Sequence, residues 1–536
     1  MAKPHVDYSL YLVTGRDLLP PGKDYFESLE ESIRGGVTLV QIREKATDTG
    51  KFLEIARRSL EICHKYSVPL LINDRIDIAL AIGADGVHLG QADMPIDIAR
   101  SLLPPNSIIG KTCNNSEHVR QAVEEGVDYV GLGPVWGTKT KDVTAPTTGP
   151  RGIGTMLDEL EGSDVKAVAI AGIKSTNVLH CLHGSVSPAS NRSLDGVAVV
   201  SDIVASIDPF TAASKIVTIV KAFKRARSEQ THIFSNPLLG DLSVEYDAES
   251  VKKAVGKALN DIKEFGPLVH QITNNVVTTQ SANATLALGG SPIMATAPEE
   301  MEDLSKVTGA LLVNFGTIQS LAGMLAAGRN ANINRKPIVF DPVGVGATQY
   351  RKTCAQELLN EWQATVIKGN AGELAALANS NEVQARGVDS VGNGFADPAE
   401  FVRSLARKER CIIALTGTTD YISDGYIVLK LSNGHPLLGE ITGSGCMVGT
   451  CVATFCAGVS LREHAERVGG EDDGRLARGD MLIAAAGGVL ALTIASEFAA
   501  AREDVKGSGT FLPALIDELG KLTPEKMEKA AKVEVL

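Results

Sequence analysis

The sequence predicts an α/β protein with two domains, a (β/α)8 barrel followed by a doubly wound α/β domain. Three observations carry this prediction. The chain has 536 residues, whereas one hydrophobic core rarely grows beyond about 250–300 residues. Short apolar runs alternate with helix-like segments in both halves. Each half also carries its own set of polar and glycine-rich motifs of the kind that bind phosphate and metal.

The first half contains eight short apolar runs rich in β-branched residues, separated by segments with helical spacing of apolar residues. The predicted strands are Ser9 to Gly15, Val37 to Glu44, Val68 to Asp74, Gly86 to Gly90, Ser107 to Thr112, Asp128 to Val135, Ala167 to Ile173 and Gly196 to Ser201. Eight such units within about 220 residues are typical of a TIM barrel, whose usual length is about 250 residues.

Polar residues cluster where these runs end, and the carboxyl ends of the strands form the active-site face of a TIM barrel. They are Arg43, Lys45, Asn73, Asp74, Asp93, Thr112, Thr138, Thr140 and Lys141. Each has a plainer interpretation when taken alone. Asp93 suits a helix cap before Pro95, Lys45 suits a solvated loop, and Asn73-Asp74 suits a turn. His88 is expected to pack within the fourth strand. The functional prediction depends on the convergence of these residues.

The loops after the seventh and eighth strands are predicted to bind phosphate through backbone N–H groups. Gly172 follows strand seven, and Val200-Ser201 ends strand eight. A glycine is suited to this place because the backbone must approach the phosphate closely.

The motifs QIREK, NDR, GVHLGQAD, IGKTC and GPVWGTKTK follow one another in this half. In these residues the chain resembles thiamine phosphate synthase, from Ser9 to about Ser206. The resemblance implies that hydroxymethylpyrimidine diphosphate reacts with thiazole phosphate to give thiamine phosphate and pyrophosphate. It implies the following roles: pyrimidine diphosphate binding by Gln41, Arg43, Lys45, Asn73, Thr112 and Lys141; Mg²⁺ binding by Asp74 and Asp93; thiazole phosphate binding by Thr138, Thr140, Gly172, Val200 and Ser201.

Those residue types suit the departure of a diphosphate. Two carboxylates hold a hard cation against its oxygens, and Arg and Lys neutralise the remaining charge. The thiazole nitrogen attacks with its own lone pair, so no general base is required. Two departures from the family pattern concern loop shape. The expected glycine pair after strand seven reads Ala171-Gly172, and Cys181 to Asp195 is interpreted as a polar insertion.

We predict a barrel domain over residues 1–228, a linker over 229–249 and a second domain over 250–536. The second domain has candidate strands at Ala310 to Phe315, Lys336 to Asp341, Ala364 to Gly369 and Cys411 to Gly417, a hairpin around Asp424-Gly425, and helices at Gly445 to Ala457 and Met481 to Ala499. This alternation favours a doubly wound fold with ligands at the strand carboxyl ends. The sequence contains no GxxxxGK[ST] motif, which excludes a P-loop kinase.

The run TGSGC opens an apolar helix in this half. Backbone N–H groups at a helix N-terminus form a candidate anion hole. Cys446 lies in the first turn, where the helix is expected to lower the thiol pKa. A buried, inert cysteine is the alternative, and it is the expectation for the other seven.

The segment Pro267 to Ala295 and the motifs DPVGVGAT, KGNAGE and TGSGC resemble hydroxyethylthiazole kinase, a ribokinase-like family, from about Gly266 to Asp517. The resemblance implies transfer of the ATP γ-phosphoryl group to the hydroxyethyl oxygen of the thiazole. It implies the following roles: proton acceptance or guidance by Cys446; Mg²⁺ by Glu373, with Asp341 nearby; ATP by Arg351 and Thr416; thiazole by Met294 and Gly443.

Composition narrows the partners. The net charge of −12 argues against broad attraction to nucleic acid or anionic membranes. The N-terminus lacks a signal-peptide core, and the two long uncharged stretches, Ile441 to Ser460 and Met481 to Ser496, are predicted to be buried helices. We expect a cytoplasmic enzyme with small-molecule substrates. The family resemblance implies a trimer, or a hexamer through the barrels.

Two other functions remain open from the residues. One is a thiamine-pathway sensor that binds the same ligands without turnover. The other is a thiazole tautomerase-like barrel fused to a pyrimidine kinase.

Overall fold

The structure, a computed structural model, describes residues 6–138, 146–228, 246–380, 384–386, 389–391, 394–466 and 472–536. Its contacts divide the chain into two compact units. The first comprises Met1–Arg225 with Asp472–Gly474, and the second comprises Ala226–Glu471 with Arg475–Leu536.

The first unit contains a closed barrel of eight parallel strands in chain order, as predicted. The strands are β1 (Leu10–Val13), β2 (Leu39–Ile42), β3 (Leu70–Asn73), β4 (Gly86–Leu89), β5 (Ile108–Cys113), β6 (Tyr129–Leu132), β7 (Lys166–Ile170) and β8 (Gly196–Val199). Nearly all their residues are buried, because the barrel interior covers one face and the helices cover the other.

Helices follow the strands along the chain. They are α1 (Tyr25–Arg34), α2 (Thr49–Lys65), α3 (Ile76–Ile82), α4 (Ile96–Leu102), α5 (Ser116–Glu124), α6 (Gly149–Asp158), α7 (Val178–Gly184), α8 (Ser201–Val204) and α9 (Pro209–Ser228), with a 3₁₀ turn at Arg16–Leu18. Local chemistry sets several of their starts. The Asp24 carboxylate accepts hydrogen bonds from the N–H groups of Phe26 and Glu27, and the Asn115 side chain caps α5 in the same way.

The interpretation of residues 181–195 as a polar insertion was wrong in part. Residues 181–184 complete α7, and every residue of that helix is buried. The run HCLHG has no strong apolar periodicity, so its two histidines masked a core helix. Beyond it, Val186 and Ser193 form an isolated antiparallel bridge.

The second unit is built on a nine-stranded sheet in the order β10-β9-β11-β12-β13-β16-β17-β18-β19. The strands are β9 (Leu268–Ile272), β10 (Ser291–Ile293), β11 (Ala310–Asn314), β12 (Ile338–Asp341), β13 (Val366–Asn370), β16 (Ile412–Thr416), β17 (Asp420–Ser423), β18 (Val428–Leu431) and β19 (Val533–Val535); β14 (Gln384–Arg386) and β15 (Asp389–Val391) form a separate pair. In this sheet the six neighbouring strands β10, β9, β11, β12, β13 and β16 are parallel. The predicted hairpin of β17 with β18 is confirmed.

The helices of this unit cover the sheet. They are α10 (Ala248–Phe265), α11 (Thr278–Leu288), α12 (Met301–Val307), α13 (Leu321–Ile333), α14 (Gln349–Glu361), α15 (Ala371–Ala378), α16 (Pro398–Glu409), α17 (Ser444–Glu466), α18 (Met481–Ala500), α19 (Ser508–Gly520) and α20 (Pro524–Ala530), with 3₁₀ turns at Pro298–Glu300 and Pro436–Glu440. By length and composition α17 and α18 could cross a membrane, but 78% and 89% of their apolar windows are buried inside the protein. They pack in one hydrophobic core with α10 and the sheet, as predicted.

The close approach of Gly328 to Trp362 generates a stability prediction. A Cβ at Gly328 in α13 would lie 2.2 Å from the fully buried Trp362 ring. Gly328→Ala is therefore expected to destabilise the second unit by about 1–3 kcal/mol, because overpacking forces the ring to shift. The measurement is calorimetry of the purified chain, in which the melting transition of the second unit should move to lower temperature.

The matched control is Gly509→Ala in α19, where a new Cβ meets no atom within 4 Å. It should be neutral or stabilising by about 0.5–1 kcal/mol through helix propensity. Equal melting temperatures for the two variants would contradict the packing argument.

Candidate active sites

The structure brings the predicted polar residues of the barrel to one end. They lie in the last residues of strands or just beyond them: Gln41 in β2, Arg43 and Lys45 after it, Asn73 ending β3, Asp74 after it, Asp93 between β4 and α4, Thr112 in β5, Thr138 after β6, Gly172 after β7, and Val200 with Ser201 after β8. Thr140 and Lys141 lie outside the described residues.

Two carboxylates and one ammonium group form the charged centre of this end. Lys45 Nζ donates to Asp74 Oδ2 at 2.8 Å, and the carboxyl groups of Asp74 and Asp93 share a hydrogen bond. Asp93 also accepts from the Gly90 N–H at 2.6 Å. It provides no cap for α4, because the residue at that N-cap is Pro95 and no side-chain bond is formed there.

The two carboxyl groups have opposite pKa shifts. Burial and the hydrogen bond with Asp74 raise the pKa of Asp93. Burial also acts to raise the pKa of Asp74, but the hydrogen bonds from Asp93 and Lys45 outweigh it and lower the pKa. A proton that binds this pair therefore sits on Asp93. Two carboxyls this close repel when both are ionised, and a cation relieves that repulsion.

Backbone geometry shapes the loops after β6 and β7. Gly172 has φ +74°, and a Cβ there would lie 2.7 Å from Trp136 Cβ, so only glycine allows these loops to meet. The preceding Ala171 also has positive φ, 78°. Ala171 stands where the family pattern has the first glycine of a pair, so here an alanine adopts a backbone conformation that is strained for any residue but glycine.

In the second unit, a buried polar cluster lies at the ends of β11 and β12 and in the neighbouring part of β13. Lys368 Nζ donates to Asp341 Oδ1 at 3.0 Å and to the Gly445 carbonyl at 3.0 Å. Asn314 donates to Asp341 Oδ2 at 2.8 Å. Asn274 then donates to Asn314 Oδ1 at 2.9 Å and to Cys446 Sγ at 3.4 Å. The predicted residues Asp341 and Cys446 therefore belong to one hydrogen-bonded network.

The expectation that α17 lowers the Cys446 pKa was wrong. Burial raises the pKa of this thiol, and the charge of Asp341 adds to the rise. Lys368 and the amides of Asn314 and Asn274 act in the opposite direction without cancelling it. Desolvation of the thiolate is the largest cause of this rise, because the residue is only 9% exposed. All eight cysteines are free and buried, as predicted for the other seven.

The carboxylates near Lys368 keep its ammonium charged. Its own burial acts to lower the pKa, but Asp341 and Glu373 raise it well above the usual range. Glu373 closes a capping box on α15: its Oε2 accepts from the Asn370 N–H at 2.9 Å. Its Oε1 accepts from the Gly344 N–H at 3.0 Å.

The remaining predicted residues lie around this cluster. Arg351 in α14 donates to the carbonyls of Phe315, Val343 and Gly316, which ties together the loops after β11 and β12. Thr416 ends β16, and Met294 follows β10. Gly443 precedes α17 with φ +80°, and a Cβ there would lie 2.2 Å from Val277 Cγ1.

Sequence reasoning missed Lys368, Asn314 and Asn274 as site residues. Lys368 and Asn314 are each the last residue but one of a predicted strand, so the rule that placed the barrel residues also applied to them. Asn274 follows β9, a strand whose His270 and Gln271 disguised its apolar pattern. Tyr11 and Tyr129, which take part in linking Gln41 to Thr112 inside the barrel, were also missed. His88 packs within β4, as predicted, and completes that link.

Comparison with known proteins assigns both halves. A family model described as thiamine monophosphate synthase matches residues 10–203, and one described as hydroxyethylthiazole kinase family matches residues 259–470. A probable thiamine biosynthetic bifunctional enzyme of Schizosaccharomyces pombe is 38% identical over 98% of this chain and 97% of its own. The thiamine biosynthetic bifunctional enzyme of Saccharomyces cerevisiae is 36% identical over 99% of both chains. The solved hydroxyethylthiazole kinase of Pyrococcus horikoshii is 35% identical and covers 53% of this chain and 99% of that one, with a TM-score of 0.44.

Each of the two folds carries its own polar site of the kind that handles phosphate groups. The chain is therefore a transferase with two active sites. The chain belongs to the family of bifunctional thiamine biosynthetic enzymes. Its first half is a thiamine phosphate synthase and its second a hydroxyethylthiazole kinase, which uses ATP.

Ala171 generates a prediction about backbone strain. A left-handed conformation costs a non-glycine residue about 1–2 kcal/mol, whereas glycine costs about 0.5–1 kcal/mol through chain entropy. Ala171→Gly should therefore stabilise the barrel by up to about 1 kcal/mol. Unfolding of the barrel can be followed by Trp136 fluorescence in a Trp362→Phe background, since the chain has two tryptophans. A destabilised variant would show that the alanine conformation is unstrained.

Asp420 generates a pH-dependent prediction. Burial raises its pKa to about 7, although it accepts the Gly417 N–H at 2.9 Å. A carboxyl group with a raised folded pKa supports folding fully below its unfolded pKa of about 4, and that support is lost as pH rises through about 7. Asp420→Asn keeps an acceptor but cannot ionise. Its stability advantage over wild type should grow by about 1–2 kcal/mol from pH 5.5 to 7.5 and then level off. An advantage independent of pH would contradict this assignment.

Proposed function

We propose that the chain performs two consecutive reactions of thiamine biosynthesis. The second half phosphorylates 4-methyl-5-(2-hydroxyethyl)thiazole with ATP. The first half joins the thiazole phosphate to 4-amino-2-methyl-5-hydroxymethylpyrimidine diphosphate, giving thiamine phosphate and pyrophosphate. The observation that carries the proposal is the match of two full-length bifunctional relatives across nearly the whole chain. No feature of the described residues favours the sensor or the tautomerase–pyrimidine kinase alternative.

Asp74 and Asp93 fit a divalent cation in the synthase site. Their carboxyl groups hydrogen-bond to each other, and their opposite pKa shifts are those of a pair that repels when fully ionised. The described residues contain no cluster of three or more His, Cys, Asp or Glu side chains around a metal position. Mg²⁺ commonly takes one or two carboxylates plus substrate phosphates and water, so the pair suffices. When bound, the ion would neutralise the leaving diphosphate.

The basic residues of this site complete the charge balance. Lys45 already contacts Asp74, and its ammonium can turn to a phosphate oxygen because 52% of its side chain is exposed. Arg43 and Lys141 are proposed to bind the diphosphate with it, and Gln41, Asn73 and Thr112 to hold the pyrimidine. Diphosphate departure leaves a cation at the carbon next to the ring, and the thiazole nitrogen attacks it. The nitrogen brings its own electron pair, so no residue has to remove a proton.

Thiazole phosphate is proposed to bind at the loops after β6, β7 and β8. Gly172 brings the backbone close to the loop of Trp136, and Ser201 opens α8 with Val200 at its N-cap. Backbone N–H groups and small hydroxyls at such loops suit a phosphate monoester. Thr138 and Thr140 are the proposed hydroxyl donors.

In the kinase site, Cys446 is proposed to position the hydroxyethyl group. Its raised pKa keeps the thiol protonated at neutral pH, which supports a hydrogen-bonding role over proton abstraction. Phosphoryl transfer depends mainly on positioning and charge neutralisation, so a strong base is not required. Lys368, held beside the first turn of α17 by the Gly445 carbonyl, supplies positive charge near the transferring group. Met294 and Gly443 are the proposed thiazole contacts.

The nucleotide end of this site carries the remaining roles. Both oxygens of Glu373 accept backbone N–H groups, and Asp341 is paired with Lys368. Glu373 and Asp341 therefore fit binding of Mg²⁺ through bridging water molecules better than direct ligation of the ion. Thr416 and Arg351 are the proposed ATP contacts, and Arg351 also fixes the loops around the nucleotide.

The domain boundaries stay a prediction at residues 1–228 and 250–536, with the linker at 229–249. A homotrimer or a hexamer built from it, and a cytoplasmic location, are also proposed. Light scattering of the purified chain checks the assembly, and a monomer would contradict it.

Independent inactivation of the two sites is the central functional prediction. Asp74→Asn should lower synthase kcat/KM by about 10²-fold or more, because charge stabilisation of the leaving group is lost. Cys446→Ala should lower kinase kcat/KM by about tenfold or more, because hydroxyl positioning is lost. The measurement is a coupled assay that follows thiazole phosphate and thiamine phosphate separately.

Matched controls separate chemistry from folding. Asp97→Asn removes an exposed carboxylate from α4, and Cys451→Ala removes a buried thiol from the same helix as Cys446. Both should keep both activities. Loss of both activities in either active-site variant would contradict two independent sites.

A further inference from the structure

A chain of hydrogen bonds crosses the barrel interior and joins two residues predicted to bind the pyrimidine. We call it the relay; its members are Gln41, Tyr11, Tyr129, His88 and Thr112. Gln41 Nε2 donates to the Tyr11 hydroxyl, which lies 2.7 Å from the Tyr129 hydroxyl. The Tyr129 hydroxyl lies 2.8 Å from His88 Nδ1, and His88 Nε2 lies 2.8 Å from Thr112 Oγ1.

Two glycines lie against the rings of this relay, and Gly110 makes room for one of them. A Cβ at Gly110 in β5 would lie 2.0 Å from Tyr129 Cζ, and the phenol ring would have to move. A Cβ at Gly131 in β6 would lie 3.4 Å from His88 Cε1. The absence of a side chain at Gly110 in β5 leaves space that the ring of Tyr129 fills. The imidazole of His88 lies beside that ring, next to Gly131 in β6.

Each tyrosine hydroxyl of the relay remains protonated at neutral pH. Burial is the main cause for both residues. It raises the pKa of the Tyr11 hydroxyl and the pKa of the Tyr129 hydroxyl well above their usual range. A phenol in such a chain donates one hydrogen bond and accepts another. The direction at one end of the chain therefore determines the direction at the other end.

The orientation of Gln41 sets that direction. Its amide nitrogen donates to Tyr11, so Tyr11 donates to Tyr129 and Tyr129 donates to His88 Nδ1. His88 is then neutral with its proton on Nε2, which donates to Thr112 Oγ1. Within the relay, the Gln41 amide oxygen and the Thr112 hydroxyl hydrogen then have no partner.

We propose that Tyr11, Tyr129 and His88 are positioning residues that make Gln41 an acceptor and Thr112 a donor toward the pyrimidine. The inference rests on the proposed synthase function, and it extends that function to three residues that no comparison assigns. An aminopyrimidine offers the complementary pair, an exocyclic amino group that donates and a ring nitrogen that accepts. If a single hydrogen bond of the relay were reversed, two donors or two acceptors would point at each other. An unsatisfied pair of this kind in a buried site costs free energy.

The first experiment reads the relay without substrate. Long-range ¹H–¹⁵N correlation on the full chain labelled with ¹⁵N-histidine reports each imidazole tautomer, and His88→Gln assigns the signal. The expected result at pH 7.5 is neutral His88 with the proton on Nε2. A proton on Nδ1, or a charged ring, would overturn the proposed direction. This result is independent of any synthase turnover, so it is separable from failure of the proposed function.

The second experiment measures the effect on substrate. Tyr129→Phe removes the central hydroxyl and keeps the ring. We expect the Kd for the pyrimidine diphosphate to rise about tenfold, the loss typical of an unpaired buried group. The KM for thiazole phosphate and the kinase activity should change less than twofold. Unchanged pyrimidine affinity, or an equal loss for both synthase substrates, would overturn the inference.

Tyr8→Phe is the matched control. Tyr8 is buried with its ring 5.2 Å from the Tyr129 ring, yet its hydroxyl takes no part in the four bonds of the relay. It should leave pyrimidine affinity unchanged. His88→Gln, which keeps a donor for Thr112, should retain more affinity than His88→Leu; equal loss in the two would indicate a packing role instead.

Discussion

Parallel strand direction is the constraint on which both halves depend. Parallel strands deliver their carboxyl ends to one edge, so a polar residue at the end of each apolar run meets the others without further design. Asp74 and Asp93 are 19 positions apart in the chain and share a hydrogen bond because β3 and β4 are neighbours. Asn314 and Asp341 end β11 and β12, and Lys368, two residues before the end of β13, reaches Asp341 from the neighbouring strand.

Burial then decides what these polar residues can do. The Lys368–Asp341 pair is desolvated, which is tolerable only because Asn314 and the Gly445 carbonyl satisfy the remaining groups. The same burial keeps the Cys446 thiol and the Tyr129 phenol protonated. The exposed Lys45, in contrast, is free to exchange partners. Buried groups thus set geometry and hydrogen-bond direction, while half-exposed groups meet the changing charge of the substrates.

Much of the fold was predictable, because parallel strands covered on both faces leave near-continuous apolar runs. All eight barrel strands followed from that signal, whereas the antiparallel hairpin β17–β18 followed from the turn residues Asp424-Gly425. The apolar signal failed where buried strands and helices carry polar side chains with internal partners, as in β9 and α7. The site prediction had the same limit: polar residues at the ends of the barrel strands were recognised, whereas Tyr11, Tyr129 and His88 lie within strands and look like core residues. The direction of the Cys446 pKa shift required burial, which a single helix position does not encode.

The edge strand β19 has a consequence for biosynthesis of the protein. β18 pairs with residues 533–535, more than a hundred positions further along the chain. The kinase sheet therefore cannot acquire its last strand until residue 535 has left the ribosome, whereas the barrel has its eighth strand by residue 199. At roughly 5–20 residues per second of translation, the barrel has tens of seconds to fold before its neighbour is complete. Experiments on ribosome-bound nascent chains should find the synthase barrel already folded while the kinase sheet still lacks its edge strand β19.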